Sequence, residues 1–256
     1  MCIIVSHLAW MVKYGNFLRM KISRVDIWPV SIPFSTPFKV WRGVATYKDH
    51  VVVEIHTDSG ISGIGEASPF LYYAAETQED VVATLVNHLA PMVIGTTPTE
   101  LEHINQMFDT VVDGHSFSKT AIETALWDIF GKVSQQPVYS LLGGIVNQTV
   151  PVVALLDHSE PDSMAEQAKY AVEEGFSHIK VKIGFEFYSD IKLVELIRSC
   201  IPNEVTLRVD AEEGYDLKGA LQIAKIFEDM NIELFSQPIS RYYHQQMSEL
   251  RAQTSI

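Results

Sequence analysis

The pattern of apolar and polar positions changes character about midway along the chain. From Met20 to about Val150, strand-like alternation comes first. Lys21–Pro33 and His50–Thr57 alternate, and Asp58-Ser-Gly60 supplies a turn into Ile61–Glu66. Helical patterns follow at Gln78–Ala90, Thr99–Val112 and Ser116–Lys132. In the last of these, Ala121, Ile122, Ala125, Leu126 and Ile129 share one face at three-four spacing. Strands grouped ahead of helices predict an α+β domain.

From Val150 onward the two kinds of pattern alternate strictly. Strand patterns lie at Val150–Leu156, Ile179–Ile183, Thr206–Asp210 and Ile232–Phe235. Helical patterns lie between and after them, at Ser163–Glu174, Tyr188–Ile201, Leu217–Met230 and Tyr243–Gln253. The strands are short and read as apolar on both faces, which predicts parallel βα units. No Gly-x-Gly-x-x-Gly follows any of them, which disfavours a dinucleotide-binding sheet. Polar residues gather at the strand ends: Asp157, Lys180, Lys182, Asp210, Glu212, Ser236 and Gln237. In a (β/α) barrel that end carries the active site. The predicted architecture is an α+β domain over 20–149 followed by a partial (β/α) TIM-like barrel of about four βα units over 150–256. The Gly143-Gly144 pair is expected to end a helix or turn the chain between the two.

Composition narrows the partners. A formal charge of −13 argues against a surface for nucleic acid or anionic membrane, since both need clustered Lys and Arg. Cys2 and Cys200 build neither a disulfide framework nor a zinc site, so a reducing cytoplasm is the expected location. Residues 1–19 are fairly apolar, but no small-residue cleavage site follows a clean apolar run. They are read as an extension of unassigned role, with neither a signal peptide nor a membrane anchor expected.

The chemistry concentrates in His178-Ile-Lys-Val-Lys-Ile-Gly184 and Leu207-Arg-Val-Asp-Ala-Glu212. On a strand, Lys180 and Lys182 point to one face. Taken alone, Lys-x-Lys reads as a solvated edge strand, but a strand flanked by helices in a βα series belongs to the interior. A lysine among apolar walls and beside another cation suits a base near neutral pH. Asp210, ending the next strand, reads either as a loop or helix-cap carboxylate or as an oxygen ligand for a hard cation. Glu213 reads as a surface loop carboxylate.

These residues resemble the enolase superfamily, in the muconate-lactonizing and dipeptide-epimerase branch of the mandelate racemase/muconate lactonizing enzyme family. The resemblance covers residues 20–256. It rests on Asp58-Ser-Gly-Ile-Ser-Gly-Ile-Gly-Glu-Ala67, Lys119-Thr-Ala-Ile-Glu-Thr-Ala-Leu-Trp-Asp-Ile-Phe-Gly-Lys132 and Pro137-Val-Tyr-Ser-Leu-Leu-Gly-Gly144, and continues through Ile179-Lys-Val-Lys-Ile-Gly184, Val209-Asp-Ala211 and Ser236-Gln-Pro238. It implies an α+β capping domain over a (β/α)7β barrel, and a segment near Phe34–Trp41 that covers the substrate. It further implies Mg²⁺ and removal of the proton alpha to a small-molecule carboxylate by a lysine base. Lys182 would be that base, Lys180 its electrostatic neighbour and Asp210 the first metal ligand. The implied activity is that of a racemase or epimerase, for example on dipeptides or N-acylamino acids. The alternatives are a muconate-type cycloisomerase and an o-succinylbenzoate synthase.

Two departures from the family pattern shape the expectation for this chain. Ser236 stands where the family carries a glutamate ligand, and Glu212 stands where it carries an asparagine. A hydroxyl is a poorer partner for Mg²⁺ than a carboxylate, and Glu212 is read as a partial replacement for the lost charge. Lys182, Asp210 and Ser236 recur 28 and 26 residues apart, so at this step a further strand end would fall near position 260. Eight strands need about 200 residues, so the chain reads as a C-terminally truncated barrel. That leaves three expectations: an isomerase, a non-catalytic remnant or interaction fragment, and a half-barrel completed by self-association or by a separately encoded second half.

Overall fold

The computed structural model describes residues 20–40, 43–70, 76–156 and 159–256. The extension at 1–19 and Asp157 lie outside the described residues. The chain divides into two compact units. One comprises residues up to Ser35 together with Tyr47–Val146; the other comprises Thr36–Thr46 together with Asn147–Ile256.

The first unit is built on a three-stranded sheet in the order β1 (Ile22–Val40), β2 (Gly43–Thr57), β3 (Ser62–Ala67). β2 and β3 pair antiparallel, with Val53 opposite Gly65 and Ile55 opposite Gly63. The turn between them closes through Gly60 N–H donating to Thr57 O at 3.2 Å, with Gly60 at φ +82°. Val51, Val53 and Ile55 are fully buried. Helices follow in sequence: α1 (Gln78–Thr84), α2 (Ala90–Val93), α3 (Leu101–Val111), α4 (Ser116–Ser134) and the short α5 (Val138–Leu141). Gly143 and Gly144 sit at φ 113° and 94° just beyond α5, and Gly144 N–H reaches back to Tyr139 O at 2.9 Å. The glycine pair therefore ends a helix, as its composition predicts.

The single helix expected over Gln78–Ala90 is interrupted by a π-helical turn at Leu85–Leu89. Pro91, at the start of α2, cannot donate to the carbonyl four residues back. The extra residue in the π turn accommodates that lost bond. The first turn of α4 is capped from a distance. The buried Glu76 carboxylate accepts from Phe117 N at 2.9 Å, Ser118 N at 3.3 Å and Ser118 Oγ at 2.5 Å.

The second unit is a four-stranded parallel sheet in the order β4 (Ala154–Leu155), β5 (His178–Lys182), β6 (Thr206–Asp210), β7 (Ile232–Ser236). Helices α6 (Pro161–Glu173), α7 (Phe187–Cys200) and α8 (Leu217–Asp229) connect successive strands, and α9 (His244–Gln253) follows β7. This is the expected βα series, with one strand shortened. Only Ala154 and Leu155 of the predicted Val150–Leu156 run pair with β5, while Val150 and Val152 are exposed. Among the described residues no strand pairs with the other side of β4, so those valines gain little from joining the ladder.

The strands are not apolar on both faces. Ile179, Val181, Leu207 and Val209 are fully buried and pack with Met164, Val194, Ile197, Ile223 and Phe227 from the helices. The opposite face carries Lys180, Lys182, Arg208 and Asp210, brought side by side by the register. No helix among the described residues is long and apolar enough to cross a membrane.

The tightest packing in the first unit sets α4 against β3. A Cβ added at Gly65 would lie 2.0 Å from Ala121 O and 2.6 Å from Thr124 Oγ1, and one at Gly63 would lie 2.2 Å from Ala125 O. Replacing Gly65 with alanine should therefore force the helix off the strand and cost about 1–3 kcal/mol. Thermal unfolding followed by circular dichroism checks this, and an unchanged melting curve would contradict the packing described.

Candidate functional site

The sequence-predicted site residues meet at the C-terminal ends of β5, β6 and β7. Lys182 is opposite Asp210 in the parallel register, and Asp210 is opposite Ser236. Lys180 is opposite Arg208. Each lysine reaches forward to the acid two residues beyond its register partner. Lys180 Nζ lies 2.5 Å from Asp210 Oδ2, and Lys182 Nζ pairs with Glu212 Oε1.

Burial separates the two lysines. The Lys182 side chain is 8% exposed and that of Lys180 is 28% exposed, while Asp210 and Glu212 are at 13% and 10%. A buried ammonium is tolerable only when paired, and Lys182 has its carboxylate. The Phe38 ring also lies over Lys182, 4.6 Å from Nζ to the ring centroid. Such a ring face attracts a cation. Phe38 falls in the segment expected to cover the substrate and groups with the second unit, whereas Trp41 is outside the described residues.

The turns that follow β6 and β7 hold strained backbone. Glu212 and Glu213 sit at φ 45° and 75°, and Gln237 at φ 39°. Each non-glycine residue in this left-handed region costs about 1–2 kcal/mol, so the surroundings must over-determine these turns. They are stitched together by main-chain bonds. Ile183 N donates to Asp210 O at 2.9 Å, Ala211 N to Ser236 O at 3.1 Å, Glu213 N to Gln237 O at 2.8 Å and Tyr215 N to Pro238 O at 3.0 Å.

Several residues here escape a reading of the sequence. Glu213, read as a surface carboxylate, is 11% exposed and forms an ion pair with Arg241 at 2.6 Å. Its amide and its carboxylate both engage the loop after β7, through Gln237 O and Arg241, so it is not a free surface carboxylate. Asp190, on α7, is buried and accepts from Gly184 N, Phe185 N and Glu186 N at 3.0, 3.1 and 3.1 Å and from the Tyr215 hydroxyl at 2.7 Å. Burial pushes the Asp190 carboxyl up from its usual range, against the pull of those donors. Burial and the neighbouring Asp190 charge push the Tyr215 phenol up as well. No local motif marks these partners, because they meet only once two βα units are stacked.

The donors available to a metal are the Asp210 and Glu212 carboxylates and the Ser236 hydroxyl. Among the described residues, no group of three or more His, Cys, Asp or Glu side chains is arranged to hold a metal ion. The set is nonetheless all hard oxygen, and Mg²⁺ commonly takes one or two carboxylates while keeping several waters. In chemistry the residues fit Mg²⁺, with fewer charged ligands than a three-carboxylate site.

Comparison with known proteins bears on the family and the fold. The N-terminal domain model of mandelate racemase/muconate lactonizing enzyme matches residues 22–143, and the enolase C-terminal domain-like model matches residues 163–256. The chain is 31% identical over 238 residues to the N-succinyl-L-Arg/Lys racemase of Bacillus cereus, covering 93% of this chain and 64% of that protein. The crystal structure of that racemase aligns with a TM-score of 0.89. The dipeptide epimerase of Enterococcus faecalis, solved with Mg and the dipeptide L-Leu-L-Tyr, aligns at 0.87 with 30% identity, covering 92% of this chain and 66% of that one. The muconate lactonizing enzyme of Pseudomonas fluorescens, solved with muconolactone, aligns at 0.88 with 27% identity, covering 92% and 65%. The chain thus spans just under two thirds of the length of these relatives, and it belongs to the mandelate racemase/muconate lactonizing enzyme family of the enolase superfamily.

Proposed function

We propose that Lys182 is the base that removes a proton alpha to a carboxylate, in a Mg²⁺-dependent racemase or epimerase acting on an N-acylamino acid or a dipeptide. One observation carries this reading: the register sets two lysines and two carboxylates on one face at adjacent strand ends. A C–H bond beside a carboxylate is a weak acid. Its removal needs a base within reach and cationic groups where charge accumulates.

Lys182 is built for the first task. Its stem is buried, its Nζ is aimed at the face shared by the strand ends, and the Phe38 ring limits water around it. Unprotonated and released from its pairing with Glu212, it takes the proton onto Nζ and can return it to the same face of the substrate. Lys180, two residues away on the same face, adds positive charge beside the substrate carboxylate. Asp210, with Glu212 and Ser236, would hold Mg²⁺, which supplies further positive charge toward that carboxylate when bound. Glu212 thereby takes over part of the role that Ser236, as a neutral hydroxyl, fills poorly.

The names of the relatives give the substrate panel: N-succinyl-arginine or -lysine and dipeptides for the first reading, and muconate for the cycloisomerase alternative. Exchange from the lysine face alone incorporates solvent deuterium with retained configuration. Inversion requires a second acid/base group on the opposite face of the substrate.

Two measurements test the proposal. With Mg²⁺ in D₂O, proton NMR should show loss of the α-proton signal of an N-succinyl-amino acid or a dipeptide. Lys182→Ala should slow that loss by about 10²–10⁴-fold, and an unchanged rate in the variant would remove Lys182 from the role. Lactone formation from muconate without α-deuteration of the other substrates would select the cycloisomerase reading. Separately, calorimetric titration of Mg²⁺ into Glu212→Gln should show affinity weakened about tenfold or more, since even outer partners of metal sites cost about 10–100-fold. Equal affinities would show that Glu212 is no ligand.

A further inference from the structure

Lys182 and the acids that face it sit on different strands, and something must hold those strand ends together against the strain in their turns. We infer that Tyr215, acting with Asp190, is the positioning residue of this site. It couples the turn that follows the lysine strand to the turns that follow β6 and β7. The inference deepens the proposed function and rests on Lys182 as its working group.

Three sets of contacts converge on Tyr215. Its hydroxyl donates to Asp190 Oδ2 at 2.7 Å, and the same oxygen accepts the amides of Gly184, Phe185 and Glu186, the residues just beyond Lys182. Its backbone N–H donates to Pro238 O at 3.0 Å, in the turn after Ser236. Its ring meets Phe235 edge-on at 6.1 Å, and Phe235 in turn meets Phe227 of α8 at 5.6 Å. One side chain and its amide thus touch the turns after β5 and β7 from the turn after β6.

Glycines allow the turns to come this close. A Cβ on Gly184 would lie 2.3 Å from Ala211 O, and one on Gly214 would lie 2.3 Å from Gly184 O. The β5 and β6 turns are therefore in backbone contact, and the Asp190–Tyr215 bond is a side-chain tie across that contact, beside the Lys182–Glu212 pair. Asp190 is 3% exposed. A buried carboxylate holding three amides and a phenol is costly to leave short of a partner. Without the phenol the anchor of the 184–186 turn weakens, and Lys182, two residues before Gly184, loses its fixed approach to Glu212. Glu213 and Arg241 make a second tie between the β6 and β7 turns, but they do not reach the lysine strand.

The test reads the position of Lys182 without needing metal or turnover. Reductive methylation, followed by peptide mass spectrometry, measures how fast each lysine is modified. Tyr215→Phe deletes one hydroxyl and keeps the ring. In that variant the Lys182 rate should rise about tenfold, the factor matching about 1.4 kcal/mol for a lost buried hydrogen bond. Exposed Lys169 and Lys225 should keep their rates. A Lys182 rate equal to that of the unmodified chain would overturn the inference. So would a rise shared by Lys169 and Lys225, which marks general loosening.

A second measurement uses the unmodified chain. The amides of Gly184, Phe185 and Glu186 should exchange with solvent deuterium as slowly as those within β5, and exchange at the rate of an open turn would also overturn the inference. Failure of the α-deuteration or Mg²⁺ experiments leaves both readouts intact, so the two proposals can fail separately.

Discussion

Parallel pairing of β5, β6 and β7 sets everything at this site, because a parallel ladder fixes which residues stand side by side at the strand ends. Here it sets Lys182 beside Asp210 and Asp210 beside Ser236. A slip of one residue would turn Lys180, Lys182 and Asp210 into the helix-packed face now filled by Ile179, Val181 and Val209. Burying unpaired charges there is far costlier than burying those side chains is favourable. The alternation of charge and branched apolar residues along β5 and β6 thus specifies the register, and the register in turn assembles the charge cluster.

The cluster has a cost that other parts of the unit offset. Three non-glycine residues adopt left-handed backbone in the two turns after β6 and β7, each at about 1–2 kcal/mol. Main-chain bonds between successive turns, the Glu213–Arg241 pair and the Asp190–Tyr215 tie hold that arrangement. Strain collected around paired charges is what a site set in advance for a substrate requires. The first unit uses the same device for a different end. Small residues let α4 lie on the backbone of β3, and a distant glutamate caps that helix.

Much of this was legible in the sequence, and the reason differs from residue to residue. The βα units were visible because a buried strand and a helix packed on it leave different periods, and Thr206–Asp210 falls where its pattern says. Lys180, Lys182 and Asp210 stood out because charge at the end of an apolar strand is costly without a role. What stayed hidden depends on partners distant in sequence. Asp190 looks like an ordinary acid in the first turns of a helix until Tyr215 and the 184–186 amides close around it. Glu213 looked exposed because nothing local announces Arg241. The predicted strand at Val150–Leu156 shrank to two residues because β-propensity yields only where a neighbouring strand is there to pair. Pro91 was visible, but the π turn that accommodates it follows from the helix continuing past it.

Kinship with racemases, epimerases and lactonizing enzymes is carried by both units. In the proposed function, the lysine pair and the acids facing it form one metal-supported proton-transfer site. Mn²⁺ in place of Mg²⁺ tests it most directly, because a paramagnetic ion broadens the NMR signals of nuclei close to it. Sub-stoichiometric Mn²⁺ should broaden the side-chain Cε signals of Lys180 and Lys182 selectively, spare Lys169 and Lys225, and be displaced by Mg²⁺. Broadening confined to surface lysines, or none at either site lysine, would contradict it.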